Sequence, residues 1–198
     1  MPFVFKRLAL AMSIAAAFAA DKETPFRAPE AAAMEHRQTN APLTIGAESY
    51  ALPEKAKTAF GKLDPYQYGV LPVLVVIQND GGDTIKLDKM KAEYVGPHGE
   101  RVVATPAGDV RYARGAKRPA VVPGPAGTVA GHLKKKNPLE DPVIEVRALS
   151  APVVLAGHGA SGFLYFQTGI QAGATLYLTG MTEAKTGKEL LFFEIPLQ

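Results

Sequence analysis

The chain contains no cysteine, and this absence excludes several kinds of covalent and metal chemistry. No disulfide can form, and no lipid can be attached through a cysteine behind a leader. Zinc and copper sites that need thiolate ligands are excluded as well. The folded protein must therefore depend on its hydrophobic core for stability.

Long hydrophobic runs are also lacking. A helix that crosses a bilayer needs about 20 consecutive apolar residues. The most apolar stretches in the body of the chain, Val70–Ile77 and Leu190–Ile195, have only the length of a strand. The sequence therefore predicts no transmembrane segment, although it permits peripheral contact with a membrane.

The first residues have the pattern of a secretory leader. Two basic residues, Lys6 and Arg7, precede Leu8–Ala20, which is apolar or small and carries no charge. Small residues also stand at the two positions that signal peptidase reads. We expect a signal peptide over residues 1–19, cleaved after Ala19 or, alternatively, one residue later. The product is then periplasmic or secreted.

The net charge of +3 depends largely on this leader. Without residues 1–19 the chain has 20 basic and 19 acidic side chains, which gives a net charge of +1. A charge this small does not indicate a nucleic-acid partner, in spite of a sequence pI of about 9.0. The distribution of the charge along the chain is more informative than its sum.

Acidic residues are absent between Asp109 and Glu140. Seven basic residues fall in this region, which we call the basic stretch: Arg111, Arg114, Lys117, Arg118, Lys134, Lys135 and Lys136. Such a concentration of positive charge predicts binding of lipopolysaccharide phosphates, acidic glycans or lipid headgroups. Tyr112 is the only aromatic residue among them, so nucleic-acid binding by base stacking is not expected. The alternative is a solvated loop whose charge prevents aggregation.

Apolar patterns predict several short strands. Leu71–Ile77 is apolar at both its odd-numbered and its even-numbered positions, which favours a central strand covered on both faces. Thr84–Val95 follows. Its apolar residues change from odd-numbered to even-numbered positions near Asp88–Lys89, which predicts a bulge or a break. A short helix is predicted after Pro53, ending at Gly61. Further strands are predicted over 101–103, 143–149, 163–166, 174–181 and 189–195.

Short strands with turn residues between them and little helix are typical of an all-β, antiparallel β-sandwich with one or two short helices. Thr105–Asp141 is rich in proline and glycine and predicts a long irregular loop. Residues 20–50 are largely polar and predict an N-terminal linker, with one short helix over Glu30–Gln38. The sandwich itself is expected over residues 51–198.

Three segments resemble immunoglobulin-like domains of bacterial envelope proteins: Ala59–Gly61, Gly69–Asn79 and Ser161–Phe166. In such domains an apolar strand ends at an asparagine, and a later strand follows a Pro/Gly loop with the spacing G-x-x-x-F. The resemblance covers roughly Ala56–Leu197. It implies an immunoglobulin-like sandwich for this region and carries over no functional residue.

Other candidate sites have simpler structural interpretations. The four histidines lack the spacing of a metal site: His36, His98, His132 and His158. They are interpreted as exposed turn or linker residues, although Met34–His36 also has the composition of half a soft-metal site. Asn79–Asp83 offers oxygens that suit calcium but is interpreted as a hairpin turn. Ser161 lies in G-x-S-G and not in the G-x-S-x-G of a nucleophile elbow.

The sequence thus predicts an exported, non-enzymatic binding or adaptor protein of the bacterial cell envelope, with no metal or cofactor. Its expected partner is an envelope protein or an anionic polymer that contacts the basic stretch. The alternative function is a structural or assembly subunit of an envelope complex, which pairs with its partner through an open sheet edge.

Overall fold

Antiparallel strands make up most of the regular structure in the residues that the computed structural model describes, 26–113 and 137–197. The strands in chain order are β1 (Arg37–Asn40), β2 (Leu43–Ser49), β3 (Leu71–Asn79), β4 (Ile85–Lys86), β5 (Lys91–Val95), β6 (Arg101–Val103), β7 (Val153–Val154), β8 (Gly159–Phe166), β9 (Thr175–Thr179), β10 (Thr182–Glu183) and β11 (Phe193–Pro196). The helices of the described residues are α1 (Pro53–Phe60), α2 (Val143–Arg147) and 3₁₀ helices at Ala31–Ala33, Pro65–Tyr68, Ala107–Tyr112 and Pro138–Glu140. None of them has both the length and the apolar composition that a bilayer crossing requires.

Two four-stranded sheets pack face to face as a sandwich. One has the strand order β1-β2-β3-β8, and the other has the order β11-β9-β5-β6. A smaller sheet has the order β10-β4-β7. The main hydrophobic core draws Ile45 and Val75 from the first sheet and Tyr94, Leu176 and Phe193 from the second, all of them fully buried. This arrangement agrees with the predicted antiparallel β-sandwich.

Strand β3 is covered on both faces, as its apolar run predicts. Val75 and Ile77 face the core between the sheets. Leu74 and Val76 belong to a second hydrophobic cluster on the opposite face, which includes Phe60 of α1. Residues of α2 join the same cluster. The two helices therefore form an additional layer over the outer face of the first sheet.

The predicted strand Thr84–Val95 is broken where its apolar parity changes. The backbone N–H of Met90 donates a 2.9 Å hydrogen bond to the carbonyl oxygen of Leu87, which makes a tight turn. Asp88 and Lys89 are exposed in this turn. The residues before it form β4 and those after it form β5, in a different sheet. Because the two strands belong to different sheets, the odd-numbered side chains can be buried before the turn and the even-numbered ones after it.

The predicted linker over residues 20–50 is wrong in its second half, because β1 and β2 are strands of the first sheet. Leu43, Ile45 and Ala47 are at most 1% exposed and lie in the main core. They alternate with Thr44 and Gly46, which is the two-residue period of a strand, and these two residues are buried on its other face. The predicted helix over Glu30–Gln38 is replaced by one 3₁₀ turn and the start of β1.

The predicted strand over residues 143–149 is also wrong, because its first five residues form α2. Asp141 begins the turn into the helix, since its Oδ1 accepts a 3.0 Å hydrogen bond from the backbone N–H of Val143. Ile144 is 1% exposed whereas Val146 is 76% exposed. A strand would place these two side chains on the same face, whereas a helix places residues two positions apart on different sides.

The two sheets are joined at one edge by side-chain amides. Asn40 Nδ2 donates to the carbonyl oxygen of Phe192 at 2.8 Å. The backbone N–H of Glu194 donates to Gln38 Oε1 at 2.7 Å. Pro196 has no backbone N–H to offer. Strand β11 therefore presents few free groups to another strand.

The opposite edges of the two sheets differ in how far they are covered. The backbone N–H groups of Thr105 and Leu149 donate to carbonyl oxygens on the outer edge of β8, at 2.7 and 3.0 Å. On β6, the register with β5 directs the backbone groups of Arg101 and Val103 outward. These outward groups have no hydrogen-bond partner among the described residues. Of these sheet edges, that of β6 is the most open to another strand.

Candidate functional site

Arg111 is the only member of the basic stretch that lies within the described residues. It sits in the 3₁₀ helix Ala107–Tyr112, where its Nη2 forms a 2.7 Å ion pair with Glu145 Oε1. Its Nε donates to the carbonyl oxygen of Gly108 at 2.8 Å. The side chain is therefore held against the sandwich. The other predicted binding residues lie outside the described residues: Arg114, Lys117, Arg118, Lys134, Lys135 and Lys136.

Asn137 ties together the two ends of the basic stretch. Its Nδ2 donates a 2.6 Å hydrogen bond to the carbonyl oxygen of Arg111. Its Oδ1 accepts from the backbone N–H of Leu139 at 3.1 Å and so begins the 3₁₀ helix there. Leu139 is 2% exposed and anchors this helix in the second hydrophobic cluster. Arg111 and Asn137 are thus held next to each other at one fixed place on the sandwich.

Helix α2 lies between the Arg111–Asn137 hydrogen bond and a groove. The Tyr165 hydroxyl donates a 2.7 Å hydrogen bond to the carbonyl oxygen of Ile144, and both residues are buried. Burial raises the pKa of Tyr165 while the nearby Arg147 lowers it by less, so the hydroxyl keeps its proton. Glu145 reaches toward Arg111, whereas Arg147 lines the groove.

The groove has a volume of about 1580 Å³ and lies between α1 and α2. Arg147 is fixed in its wall, because its Nε donates a 3.0 Å hydrogen bond to the carbonyl oxygen of Ala59. The Arg147 guanidinium lies 5.2 Å from the centre of the Phe26 ring. Phe26 in turn packs edge-on against Tyr50, with ring centres 6.2 Å apart. The groove therefore combines an immobilised cation with an aromatic wall.

Charged side chains of both signs line the groove. Its cations are Arg27, Lys57, Lys62 and Arg147. Its carboxylates are Glu54, Asp64 and Asp141. Two of the carboxylates also begin helices, since Asp64 Oδ1 accepts from Tyr66 N–H and Asp141 Oδ1 accepts from Val143 N–H, each at 3.0 Å. The ion pairs formed within the described residues involve none of these seven side chains.

Tyr50 forms part of the groove lining and is 6% exposed. Burial raises its pKa to about 12, and the negative charge of Glu48 adds to the effect. Its ring also packs edge-on against Phe163, with centres 4.8 Å apart. At neutral pH this hydroxyl is protonated, so it adds a polar but uncharged group to the groove.

A smaller cavity of about 500 Å³ contains the predicted half metal site. It is lined by Met34, Glu35 and His36, together with a 2.5 Å ion pair between Glu48 and Lys55. The Met34 side chain is 5% exposed and packs against the backbone of Gly46. No group of three or more His, Cys, Asp or Glu side chains able to hold a metal occurs in the described residues. Met34 is therefore best explained as a packing residue.

Two of the other histidines occupy exposed turns, as predicted. The backbone N–H of His98 donates to Glu100 Oε2 at 3.1 Å in the turn between β5 and β6. His158 Nδ1 lies 2.8 Å from the carbonyl oxygen of Ala156. His132 lies outside the described residues.

The Asn79–Asp83 segment is a turn whose leading side chain is fully engaged. Asn79 is completely buried, and its Nδ2 donates to the carbonyl oxygens of Asp83 at 2.8 Å and Val154 at 3.1 Å. Its Oδ1 accepts from Gly81 N–H at 3.0 Å. These bonds connect the turn to β7 and support the interpretation as a hairpin turn over that as a calcium loop.

The groove residues were not predicted from the sequence. Arg147 falls in a segment whose β-branched residues favour a strand, and it comes near its partner Ala59 only in the folded chain. One local signal was present. Asp141 followed by Pro142 and then Glu145 is a sequence typical of a helix start, with acids near the first turn.

No protein-family model matches the chain, and no curated protein matches it. Among solved structures, it is similar to the YjhA protein of Bacillus subtilis, with 9% identity and a TM-score of 0.41 over 83% of this chain and 98% of that one. It is also similar to the secreted protein MPT63 of Mycobacterium tuberculosis, with 12% identity and a TM-score of 0.32 over 80% of this chain and 89% of that one. Similarities this low do not bear on function.

Proposed function

We propose that the protein is an exported, non-enzymatic binding or adaptor protein of the bacterial cell envelope, built on an immunoglobulin-like sandwich. Its proposed ligands are anionic polymers or lipid headgroups, and its proposed location is the periplasm or the exterior. The leader pattern and the uneven charge of the sequence support this proposal. The sandwich holds the residues at the two ends of the basic stretch, Arg111 and Asn137.

The observation that carries the proposal is the hydrogen bond from Asn137 Nδ2 to the carbonyl oxygen of Arg111. It holds the two ends of the basic stretch together on the sandwich. Six basic residues and no acidic residue lie between these ends: Arg114, Lys117, Arg118, Lys134, Lys135 and Lys136. A local excess of positive charge attracts polyanions, and salt weakens that attraction.

Binding to vesicles that contain anionic lipid, or to lipopolysaccharide, tests the proposal at rising salt concentration. We expect replacement of Lys134, Lys135 and Lys136 by glutamine to weaken binding and to flatten its salt dependence. Three exposed lysines of the sandwich provide the matched control, in which binding should persist: Lys86→Gln, Lys89→Gln and Lys91→Gln. Equal binding by the two triple variants, or no binding by the unmodified protein, would reject the role of the basic stretch.

The second candidate function is assembly through the outer edge of β6. Val103 is 66% exposed on this strand, and the outward backbone groups have no partner among the described residues. An extended segment of an envelope protein can add to such an edge by main-chain hydrogen bonds. Size measurement of the protein alone and in envelope extracts distinguishes the two functions, because a strictly monomeric protein without a co-purifying partner contradicts assembly.

A further inference from the structure

We propose that the groove between α1 and α2 binds an acidic polysaccharide, with Arg147 contacting a sugar carboxylate. This site is separate from the basic stretch. It rests on the proposed function only in the general class of ligand, since both sites would take polyanions of the envelope. All of the residues that line the groove lie within the described part of the chain.

Arg147 has the geometry of a carboxylate receptor. One side of its guanidinium is fixed by the hydrogen bond from Nε to the carbonyl oxygen of Ala59. Its face is supported by the ring of Phe26 at 5.2 Å. No carboxylate of the described residues forms an ion pair with it. The two terminal nitrogens therefore remain for a ligand, and a planar guanidinium binds a carboxylate through two parallel hydrogen bonds.

Further cations line the same groove. Arg27, Lys57 and Lys62 line it and are exposed. They too are outside the ion pairs of the described residues. Several free cations that line one groove suit a ligand that carries several negative charges. A single small anion would use only one of them.

The acidic residues of the groove select among polyanions. Asp64 and Asp141 each use Oδ1 for a backbone N–H, which leaves Oδ2 as an acceptor. Glu54 is exposed in the first turn of α1. Carboxylates repel phosphates and sugar carboxylates alike, but a glycan also offers hydroxyl donors to them, whereas a polyphosphate chain offers none. The mixture of signs therefore favours a carboxylated glycan over a polyphosphate.

The groove is larger than a pocket that encloses one small molecule. Its volume of about 1580 Å³ exceeds the roughly 300–1,000 Å³ of pockets that enclose a small molecule. Tyr50 and Phe60 are at most 6% exposed, so most of their ring surface is already covered. Only Phe26 is left with partial exposure for contact with the apolar face of a sugar. Recognition must therefore depend mainly on charge and hydrogen bonds.

Calorimetric titration with hexagalacturonate tests the proposal directly, with dextran as the neutral glycan and polyphosphate as the phosphate polymer. We expect binding of hexagalacturonate at about 0.1 M salt, where surface charge is screened beyond roughly 10 Å. We expect no binding of dextran and weaker binding of polyphosphate. Arg147→Gln should weaken hexagalacturonate binding at least tenfold.

A second variant guards against a folding defect in Arg147→Gln. Lys57→Gln combined with Lys62→Gln changes two exposed side chains of the groove and should also weaken binding several-fold. Lys91→Gln, on the opposite sheet, should bind as the unmodified protein does. The variant with glutamine at 134–136 should keep its affinity for hexagalacturonate, which separates this site from the basic stretch.

Three outcomes would overturn the proposal. Polyphosphate binding as tightly as hexagalacturonate would remove the selective role of the carboxylates. Unchanged affinity in both groove variants would place the ligand elsewhere. Self-association that Arg147→Gln abolishes would assign the groove to a second copy of the chain.

Discussion

Arg147 Nε donates a 3.0 Å hydrogen bond to the carbonyl oxygen of Ala59 and thereby links α2 to α1 across the groove. The acceptor lies near the C-terminal end of α1, where carbonyl groups lack partners within the helix and a cation is favourable. One bond thus stabilises the helix end and fixes the guanidinium that we propose as the ligand contact. The position of α2 is therefore central to both structure and function.

Tyr165→Phe should destabilise the protein by about 1–3 kcal/mol, because the buried carbonyl of Ile144 loses its donor. Urea unfolding at neutral pH measures the change. Tyr177→Phe is a suitable control, since Tyr177 is only partly buried on the outer face of the second sheet. Equal stability of Tyr165→Phe and the unmodified protein would show that the hydroxyl does not hold α2.

Gly46→Ala should cost about 1–3 kcal/mol, because an added Cβ would overlap the Met34 side chain. Both residues are buried, so the overlap cannot be relieved by moving into solvent. Gly82→Ala is the matched control, since nothing lies within 4 Å of its added Cβ. Thermal or urea unfolding should show a loss only for the first variant. A Met34→Ala change in the same chain should relieve part of that loss, and no relief would contradict the proposed overlap.

The stability of the protein should fall as the pH rises from about 10 to about 12, in part because of Tyr50. Its pKa is raised from 10.0 to about 12 in the folded protein, so the unfolded chain loses the proton first. The stabilisation is complete below pH 10 and is lost as the pH approaches 12. Tyr50→Phe should therefore weaken the dependence of the urea midpoint on pH across this range. Parallel curves for the two proteins would contradict the assignment.

Asn79→Asp should destabilise the protein more at neutral pH than in acid. The amide of Asn79 donates to the carbonyl oxygens of Asp83 and Val154, and a carboxylate cannot donate. The new carboxyl would be buried and would face two carbonyl oxygens, and both effects raise its pKa. The stability of the variant is therefore lost as the pH rises through that pKa. Asn79→Ala should be destabilised without this pH dependence. A flat pH profile for Asn79→Asp would show that the turn rearranges.

Much of the sandwich can be predicted from local pattern. The double-sided apolar run of β3 indicates a buried central strand, and the parity change near Asp88–Lys89 marks the passage between sheets. Two segments behave differently because tertiary contacts decide them. Strand β1 is polar and is held at a sheet edge by the amides of Gln38 and Asn40. Helix α2 is rich in β-branched residues, which by themselves favour a strand.

The candidate sites also differ in whether local sequence or tertiary structure determines them. The basic stretch is visible in the sequence because its residues are close along the chain. The groove is assembled from α1, α2 and other segments distant along the chain, among them Phe26 and Arg27. No local pattern in the sequence indicates that these segments come together. Arg147 and Lys57 are 90 positions apart, so only the fold brings their charges to one surface.

The NMR signal of the Arg147 Nε–H group gives the most direct test of the groove, because that proton is held by the carbonyl oxygen of Ala59. During titration with hexagalacturonate this signal should shift and saturate, while the Nε–H signal of Arg101, on the far sheet, stays in place. An unmoved Arg147 signal in a solution where the glycan is bound would contradict the account.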